Sequence, residues 1–386
     1  MRRKGGRGMK LGELIEIKHG FAFSGEHIVE DDNGIVLVTP GNFRIGGGFK
    51  EEKCKFFDGE IPADYVLKEG DFIVTMTDLS KTIDTLGYSA LVPKSKRIYL
   101  HNQRIGLVTF KSDECDRGYI YWLMRTREYQ RSIANTSTGA TVHHTSPKKI
   151  YDYDLEVPPL PIQHRIATIL SRYDSLIENY QKQIKLLEEA AQRLYKEWFI
   201  DLHFPGHENT NIIDGVPEGW EKKSITDVLE IKYGKDHKLL KEGTIPVYGT
   251  GGIMRYVEKS LFTGESVLIP RKGSLNNIML VGGTFWTIDT MFYSIPKENN
   301  VAKIVYFYLK GVDMYSFNIG AAVPSMTVNI LSGMKLLVPN EDVKNKFETI
   351  ASKYFIRMHS LQSQLRLLTE ARDRLLPKLM SGEIEI

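Results

Sequence analysis

The sequence predicts an α+β protein in which two mixed α/β domains alternate with two long helices. Three observations lead to this prediction: an internal repeat, two long apolar seams with helical spacing, and short β-branched runs between turn residues. The chain has 386 residues, of which 42% are hydrophobic and 26% are charged. This length and composition are typical of a globular chain with two domains.

The internal repeat relates the two halves of the chain. The segment 139–200 aligns with 320–381 without gaps, and 18 of the 62 aligned pairs are identical. A second match, at a larger offset along the chain, relates 14–20 to 228–234. Because the two offsets differ, the second copy is shorter between its matching segments. Each half is therefore expected to be a globular part with a middle of its own, followed by a helix.

Two segments have the apolar spacing of long amphipathic or coiled-coil helices. From Pro161 to Phe199, apolar residues recur in steps of three and four, and the segment 341–379 repeats this pattern. Because a lone helix of this kind is only marginally stable in water, we expect the two apolar stripes to be buried against each other. The seam of the first helix contains Ile162, Ile166, Ile169, Tyr173, Leu176, Tyr180, Ile184, Leu187, Ala191, Leu194 and Trp198.

The globular parts are predicted to be rich in short strands, because β-branched runs alternate with turn residues. The predicted strands are 34–39, 71–75, 105–110, 266–270 and 285–288. The predicted helices are 117–133 and 300–316, and the predicted glycine-rich surface loops are 46–48, 249–252 and 282–283. A proline- and glycine-containing segment at 201–217 is predicted to link the two halves.

Charge and cysteine content limit the possible functions. The 51 basic residues nearly balance the 48 acidic ones, so any surface that binds nucleic acid must be local. Cys54 and Cys115 are the only cysteines, which predicts two reduced thiols rather than a disulfide framework or a zinc site. No apolar run is long enough to cross a membrane and no signal peptide is visible, which predicts a cytoplasmic protein.

Motifs that would indicate catalysis in this chain are incomplete. The segment 157–160 (VPPL) lacks the polar and aromatic residues of the catalytic loop of amino-methyltransferases. The segment 249–252 (GTGG) lacks the helix start of a cofactor loop, and His143 and His144 have no acid or cysteine at ligand spacing. We therefore expect no catalytic, cofactor-binding or metal-binding residue in this chain.

Several phrases of the sequence, in this repeated order, resemble the specificity subunits of type I restriction–modification systems. The resemblance extends over almost the whole chain, although no single phrase is diagnostic. The phrases are 155–166 (LEVPPLPIQHRI), 197–199 (EWF), 204–206 (FPG), 216–220 (VPEGW), 246–252 (PVYGTGG), 271–273 (RKG) and 368–383 (LTEARDRLLPKLMSGE).

The resemblance implies a domain plan with a pseudo-twofold repeat and two antiparallel helices. Each of two target-recognition domains would read one half of a split target in double-stranded DNA. Two methyltransferase subunits, which use S-adenosylmethionine, would dock on the helices, and motor-nuclease subunits could join them. The expected segments are a basic tail (1–8), recognition domain one (9–157), a central helix (158–200), a linker (201–212), recognition domain two (213–340) and a distal helix (341–386).

Base reading requires donors and acceptors on exposed loops, which selects a set of candidate DNA-binding residues. In the first domain these are Lys18, His19, Ser24, Thr39, Asn42, Arg44, Thr75, Thr77, Asp78, Lys81 and Arg104. In the second they are Lys232, Lys235, His237, Thr250, Arg255, Arg271, Lys272, Ser274 and Asn276. The partner-binding helices are represented by Ile166, Tyr173, Leu187, Leu194, Ile350, Tyr354, Leu368 and Leu375.

Three alternatives to this function remain open at the level of sequence. The chain could be the specificity module of a related methyltransferase-only or type II-like system. It could be an enzyme in its own right, although the incomplete motifs argue against this. It could also be a coiled-coil scaffold without DNA readout, but a scaffold has no need of two different sets of loops.

Overall fold

A computed structural model of the chain describes residues 7–111, 113–139, 141–318 and 323–386. The chain divides into two compact units. The first unit combines residues 1–179 with 364–386, and the second comprises residues 180–363. Each of the two long helices contributes one part to the first unit and one part to the second.

The first half of the chain contains many short strands followed by one long helix. Its strands are β1 (Arg7–Lys10), β2 (Ile15–His19), β3 (Ile28–Val29), β4 (Ile35–Val38), β5 (Lys55–Phe57), β6 (Val66–Leu67), β7 (Phe72–Thr75), β8 (Thr77–Asp78), β9 (Ser89–Leu91), β10 (Ile98–His101), β11 (Ile105–Phe110), β12 (His143–His144) and β13 (Asp154–Val157). Its helices are α1 (Leu11–Leu14), α2 (Arg117–Leu123), α3 (Arg127–Asn135), α4 (Pro147–Tyr151) and α5 (Leu160–Tyr195).

The second half repeats this plan with a different middle. Its strands are β14 (Ile212–Ile213), β15 (Val216–Pro217), β16 (Glu221–Ser224), β17 (Leu229–Tyr233), β18 (Glu242–Gly249), β19 (Gly252–Val257), β20 (Phe262–Thr263), β21 (Ser266–Pro270), β22 (Met279–Val281), β23 (Thr284–Thr287), β24 (Met291–Pro296) and β25 (Lys335–Val338). Its helices are α6 (Ile225–Val228), α7 (Ala302–Lys310), α8 (Val328–Gly333) and α9 (Glu341–Ser381).

Each unit is built on a four-stranded antiparallel sheet. The strand order is β2-β11-β7-β9 in the first unit and β17-β24-β21-β22 in the second. A second sheet accompanies each of these, with the order β3-β5-β4-β10-β6 in the first unit and β19-β18-β23-β20 in the second. The largest core of the first unit buries Trp122 and Tyr119 completely or nearly so, and that of the second unit buries Phe347 and Phe292.

The sequence repeat is also a structural repeat. The alignment of 139–200 with 320–381 matches β13 to β25. The alignment of 14–20 with 228–234, extended upstream without gaps, matches β1, α1 and β2 to β16, α6 and β17. In both units the strand before the long helix pairs with the first strand of the unit, β13 with β1 and β25 with β16. The predicted α+β fold with an internal repeat is therefore confirmed.

The two long helices run antiparallel inside each unit. A π-helical turn, Lys196–Ile200, continues α5 in the second unit. Phe199 in this turn lies 4.8 Å from Phe347 between ring centroids, while the earlier Gln183 accepts a hydrogen bond from Arg357. In the first unit, Asp174 is paired with Arg372. The predicted seam needs one correction: Ile177, and not Leu176, lies in it. Leu176 is 45% exposed and Ile177 is 7% exposed, because the buried stripe steps by four residues after Tyr173.

Three predicted boundaries differ from the structure. The predicted helix 117–133 is two helices, because the hydroxyl of Thr126 accepts a hydrogen bond from the Tyr129 amide and starts α3 anew. The predicted helix 300–316 ends at Lys310 and is followed by a 3₁₀ turn. The predicted basic tail 1–8 reaches into β1, while residues 1–6 lie outside the described part of the chain.

The segment predicted to link the halves is largely fastened to the second unit. Phe204 is 3% exposed and lies 4.7 Å from Trp220 between ring centroids. Strands β14 and β15 form a hairpin in the same segment. The linker is therefore not a free tether, because its one large aromatic residue belongs to the core.

Candidate nucleic-acid interface

Each four-stranded sheet brings three strand ends to one edge. In the first unit, β2 ends opposite the start of β11, where His19 pairs with Gly106, and β7 ends beside it, where Thr75 pairs with Ile105. We call this edge the first sheet end; it comprises residues 18–21, 75–78 and 101–105. The equivalent second sheet end comprises residues 232–235, 270–274 and 288–291, where Tyr233 pairs with Phe292 and Pro270 with Met291.

A loop that precedes a short helix is fastened to each sheet end in the same way. In the first unit the amide of Thr145 donates a hydrogen bond to the carbonyl of Met76 at 3.0 Å. In the second unit the amide of Met326 donates to the carbonyl of Arg271 at 2.8 Å. Thr145 and Met326 are aligned with each other in the sequence repeat that relates 139–200 to 320–381. The two units therefore share one backbone frame at this edge.

Glycines related by the repeat permit a close backbone approach at both sheet ends. A Cβ on Gly20 would lie 2.2 Å from the carbonyl oxygen of Asn102, and one on Gly234 would lie 2.0 Å from that of Ile288. No real side chain tolerates such distances, so the chain must carry glycine at both places unless the loop moves. This explains why the glycine that ends the repeated segments 14–20 and 228–234 is present in both.

The structure brings together about half of the predicted DNA-binding residues. Those at or beside the first sheet end are Lys18, His19, Thr75, Thr77, Asp78 and Arg104, and those at or beside the second are Lys232, Lys235, Thr250, Arg271, Lys272 and Ser274. Thr250 joins the second group because its hydroxyl oxygen would lie 3.7 Å from a Cβ built on Gly273. The fold thus gathers candidates chosen from the sequence at the same edge of both sheets, and their contact with DNA stays a prediction.

Four of the predicted DNA-binding residues are buried, so the prediction that their side chains contact DNA is corrected. Asn42 is 1% exposed, Thr75 0%, Thr77 3% and Asp78 2%, so none of these side chains is available to a base. Asn42 accepts a hydrogen bond from the amide of Thr39, and the hydroxyl of Thr75 donates to the carbonyl of Thr77. These polar groups are buried because they hold the local backbone, as buried polar groups in proteins usually do.

Asp78 fastens the loop that follows the first sheet end. Its carboxylate accepts hydrogen bonds from the amides of Ser80, Thr85 and Leu86 and from the hydroxyl of Thr85. Burial opposes ionisation, but the hydrogen bonds from Ser80 and Thr85 together hold the pKa of Asp78 below its ordinary value. The carboxylate thus stays charged and shapes a loop whose Lys81 is exposed.

The remaining predicted residues lie away from the two sheet ends or are engaged elsewhere. Ser24, Thr39 and Arg44 lie around the second sheet of the first unit, and Arg44 pairs with Glu52 at 3.1 Å. In the second unit, Arg255 lies on β19 and its guanidinium donates to the Leu240 carbonyl. The amide nitrogen of Asn276 donates to Asp313, and His237 lies in the loop before β18. For these residues a contact with DNA stays a prediction.

Two exposed aromatic residues at the sheet ends were missed by the sequence reasoning. Phe21 is 39% exposed and lies 5.3 Å from the ring of Tyr65, over which the ammonium of Lys18 sits at 4.7 Å. Tyr233 is 54% exposed and lies under the guanidinium of Arg271 at 5.3 Å. The predicted set contains only residues chosen as hydrogen-bonding side chains, although both aromatic residues flank the glycines of the repeat.

The helix residues predicted to bind partners contribute to the cores of the chain itself. Ile166 is fully buried in the core of the first unit, against which Leu375 also packs. Leu194, Ile350 and Tyr354 pack against the core of the second unit. Tyr173, Leu187 and Leu368 are half-buried. These side chains hold the helices in place, and partner binding by the helices stays a prediction.

Within the described ranges there is no group of three or more His, Cys, Asp or Glu residues that could hold a metal ion. Among those same residues, no helix is both long and apolar enough to cross a membrane. Burial raises the pKa of the Cys115 thiol to about 12, so this cysteine stays protonated and unreactive near neutral pH.

Two units with one backbone frame and different loops define a protein with paired, non-identical recognition surfaces. The family described as the type I restriction modification DNA specificity domain matches residues 7–189 and 217–361. Because these matches cover most of the sequence, the chain belongs to this family.

Individual relatives agree with this membership. The MjaIX specificity subunit of a type I restriction enzyme from Methanocaldococcus jannaschii is 26% identical in an alignment of 307 positions that covers 69% of this chain and 69% of that subunit. The HindI specificity subunit from Haemophilus influenzae is 20% identical in an alignment of 348 positions that covers 67% of this chain and 75% of that subunit. The crystal structure of the S subunit of a type I restriction–modification system from M. genitalium has the same fold, with a TM-score of 0.64, 18% identity and coverage of 97% and 96% of the two chains.

Proposed function

We propose that this chain reads a split DNA sequence on behalf of a type I restriction–modification enzyme. Each unit contacts one half of the target through its sheet end. The observation that supports this most directly is the shared frame: the same hydrogen bond fastens the loop at Met76 and at Arg271, while the exposed side chains of the two sheet ends differ. One frame with two sets of side chains is what a reader of two different half-sites requires.

The charges near the second sheet end suit contact with DNA. Lys235 and Lys272 are exposed, and neither has an acidic partner within the described part of the chain. Lysine serves phosphate groups as a point charge, which fixes the position of a protein on the duplex without reading its sequence. A local basic surface of this kind is compatible with a net charge of only +3.

The chain itself acts without catalysis in this proposal. Two methyltransferase subunits dock on the helices, and they bind S-adenosylmethionine; motor-nuclease subunits join when cleavage follows. The relatives that support this arrangement are named as specificity subunits. Isothermal titration of S-adenosylmethionine into the isolated chain should give no heat of binding, whereas micromolar binding would contradict this part of the proposal.

Domain exchange tests the reading of two half-sites. Replacing residues 213–340 by the corresponding domain of a relative with a known target should change one half of the methylated sequence and leave the other half unaltered. The complex of the chain with its methyltransferase partner would be expressed in a methylation-free host, and modified bases would be mapped by sequencing. The reciprocal exchange of residues 9–157 is the matched control, and a change in both halves from either exchange would refute the proposal.

The same experiment separates the alternatives. A methyltransferase-only system would give the same methylation pattern but no cleavage when the host genes are supplied together. A coiled-coil scaffold without DNA readout would leave the complex unable to methylate any defined sequence, whichever domain is exchanged.

A further inference from the structure

We infer that Arg271 reads a guanine in the half-site that the second unit contacts. This inference rests on the proposed function and assigns one residue and one base type to it. It follows from how the guanidinium is held, from the hydrogen bonds it has left to give, and from the residue that occupies the same place in the first unit.

The side chain of Arg271 is oriented before any ligand binds. Its amide donates to the carbonyl of Thr290 at 2.8 Å, so the residue is fixed at the end of β21. Its guanidinium lies over the ring of Tyr233 at 5.3 Å, and Nη1 donates to the carbonyl of Asp289 at 3.1 Å. A planar cation held by a stack and a hydrogen bond loses little rotamer freedom when it meets a base.

The charge of Arg271 is not neutralised by a carboxylate. In the described ranges no acidic side chain lies within 4.0 Å of its guanidinium, whereas the nearby Lys232 is paired with Glu230 at 2.5 Å. One hydrogen of Nη1 is used on Asp289, and the Nε and Nη2 groups have no partner among the described residues. These two groups form one edge of the guanidinium fork.

Guanine is the base that fits this edge. Its N7 and O6 are two adjacent acceptors in the major groove, and an arginine fork donates to both. Adenine places an amino donor where guanine has O6, so one of the two arginine hydrogen bonds would be lost and two donors would face each other. An oriented arginine therefore selects guanine through hydrogen bonds that no other base can complete.

The first unit carries a different residue at the equivalent place. The hydrogen bond from Met326 to Arg271 corresponds to that from Thr145 to Met76, so Met76 is the counterpart of Arg271. Met76 is 3% exposed and belongs to the core. A guanine read by this mechanism is therefore expected in only one half of the target, at one position.

The adjacent Lys272 provides a matched control. It is exposed, and it forms an isolated bridge with Ser325 through its backbone. Because an ammonium on a flexible stem contacts phosphate as a point charge, Lys272→Ala should weaken binding to all sequences alike. The two neighbouring residues thus have distinct expected effects on specificity and on affinity.

The experiment uses the full chain in complex with its methyltransferase partner and a duplex library in which both half-sites are randomised. The wild-type complex should select guanine at one or more positions of the half-site assigned to the second unit by domain exchange. Arg271→Ala should lower the preference for guanine at one of these positions by about 5- to 150-fold and leave the other half-site unchanged. Arg271→Gln should shift the preference at that position from guanine to adenine, because glutamine pairs with adenine in the same groove.

The outcomes distinguish this inference from the proposed function. If the wild-type complex selects no sequence at all, the proposed function fails. If it selects a split target and Arg271→Ala keeps every base preference, or if Lys272→Ala removes the same preference as Arg271→Ala, the assignment of Arg271 is wrong. Circular dichroism and the unfolding midpoint confirm that each variant is folded. If Arg271→Ala does not fold, Arg271→Gln serves as the test, and a retained preference for guanine at that position would overturn the assignment.

Discussion

Replacing Asp174 by alanine should destabilise the first unit by about 3–5 kcal/mol, the usual effect of removing one partner from a buried ion pair. Asp174 lies on α5 and receives two guanidinium groups. Nη1 of Arg125, which comes from the end of α2, lies 2.5 Å from one carboxylate oxygen, and Nη1 of Arg372 on α9 lies 2.6 Å from the other. The side chains of these arginines are 4% and 16% exposed.

The magnitude follows from what remains around the two arginines. Arg125 would keep its hydrogen bonds to the Tyr121 hydroxyl and the Gly46 carbonyl and its stacking on Trp122, but none of these carries a negative charge. The nearby Glu178 cannot replace Asp174 fully, because burial is the main cause that raises the pKa of its carboxyl, and this burial remains in the variant. Arg372 would keep its pair with the exposed Asp373 at 2.7 Å, so Arg125 would be the buried cation left without a carboxylate.

The measurement is hydrogen exchange of peptides from 117–135 at increasing urea concentration, which reports the opening of the first unit alone. The control is Arg366→Ala, which breaks an exposed pair with Glu370 at 3.8 Å within the first unit and should change stability by about 0.5 kcal/mol or less. A loss for Asp174→Ala no larger than that of the control would refute the reasoning. The charge-free combination of Arg125→Met, Asp174→Leu and Arg372→Met should recover most of the loss, because no buried charge is then left unpaired.

Two further predictions concern the second unit. Gly234→Ala should lower the free energy of unfolding by about 1–3 kcal/mol, because the new Cβ would lie 2.0 Å from a backbone oxygen. The control is Gly282→Ala, whose Cβ would have nothing within 4 Å and should have little effect in the same urea titration. The pKa of Glu298 lies below its ordinary value of 4.5. The hydrogen bond from Lys223 lowers it most; burial opposes this shift, and the hydrogen bond from Lys344 adds to it. Because the folded-state pKa is the lower one, this carboxylate stabilises the fold above about pH 4.5 and loses its effect as the pH falls through the folded-state pKa. The stability difference between wild type and Glu298→Gln should therefore be largest near pH 7 and shrink in acid; a difference independent of pH would contradict it.

Much of the fold could be predicted because it is encoded in short stretches of the chain. Helical periodicity predicted helices at 161–199 and 341–379, and the structure has α5 at Leu160–Tyr195 and α9 at Glu341–Ser381. The runs at 105–110 and 266–270 are strands with the predicted bounds. Local periodicity is sufficient here because each segment must turn one apolar face to a core, whatever that core contains.

The sequence by itself determined the repeat, the long helices and a set of candidate residues, and the fold gathered more than half of these candidates at one edge of each sheet. Only the tertiary structure decided which polar side chains at that edge are available. Asp78 and Thr77 are buried beneath a loop, while Tyr233 is exposed and supports Arg271. The physical reason is that burial and pairing depend on residues distant in the sequence: the carboxylate of Asp174 is shared with residues 49 and 198 positions away, and no local pattern encodes such a contact.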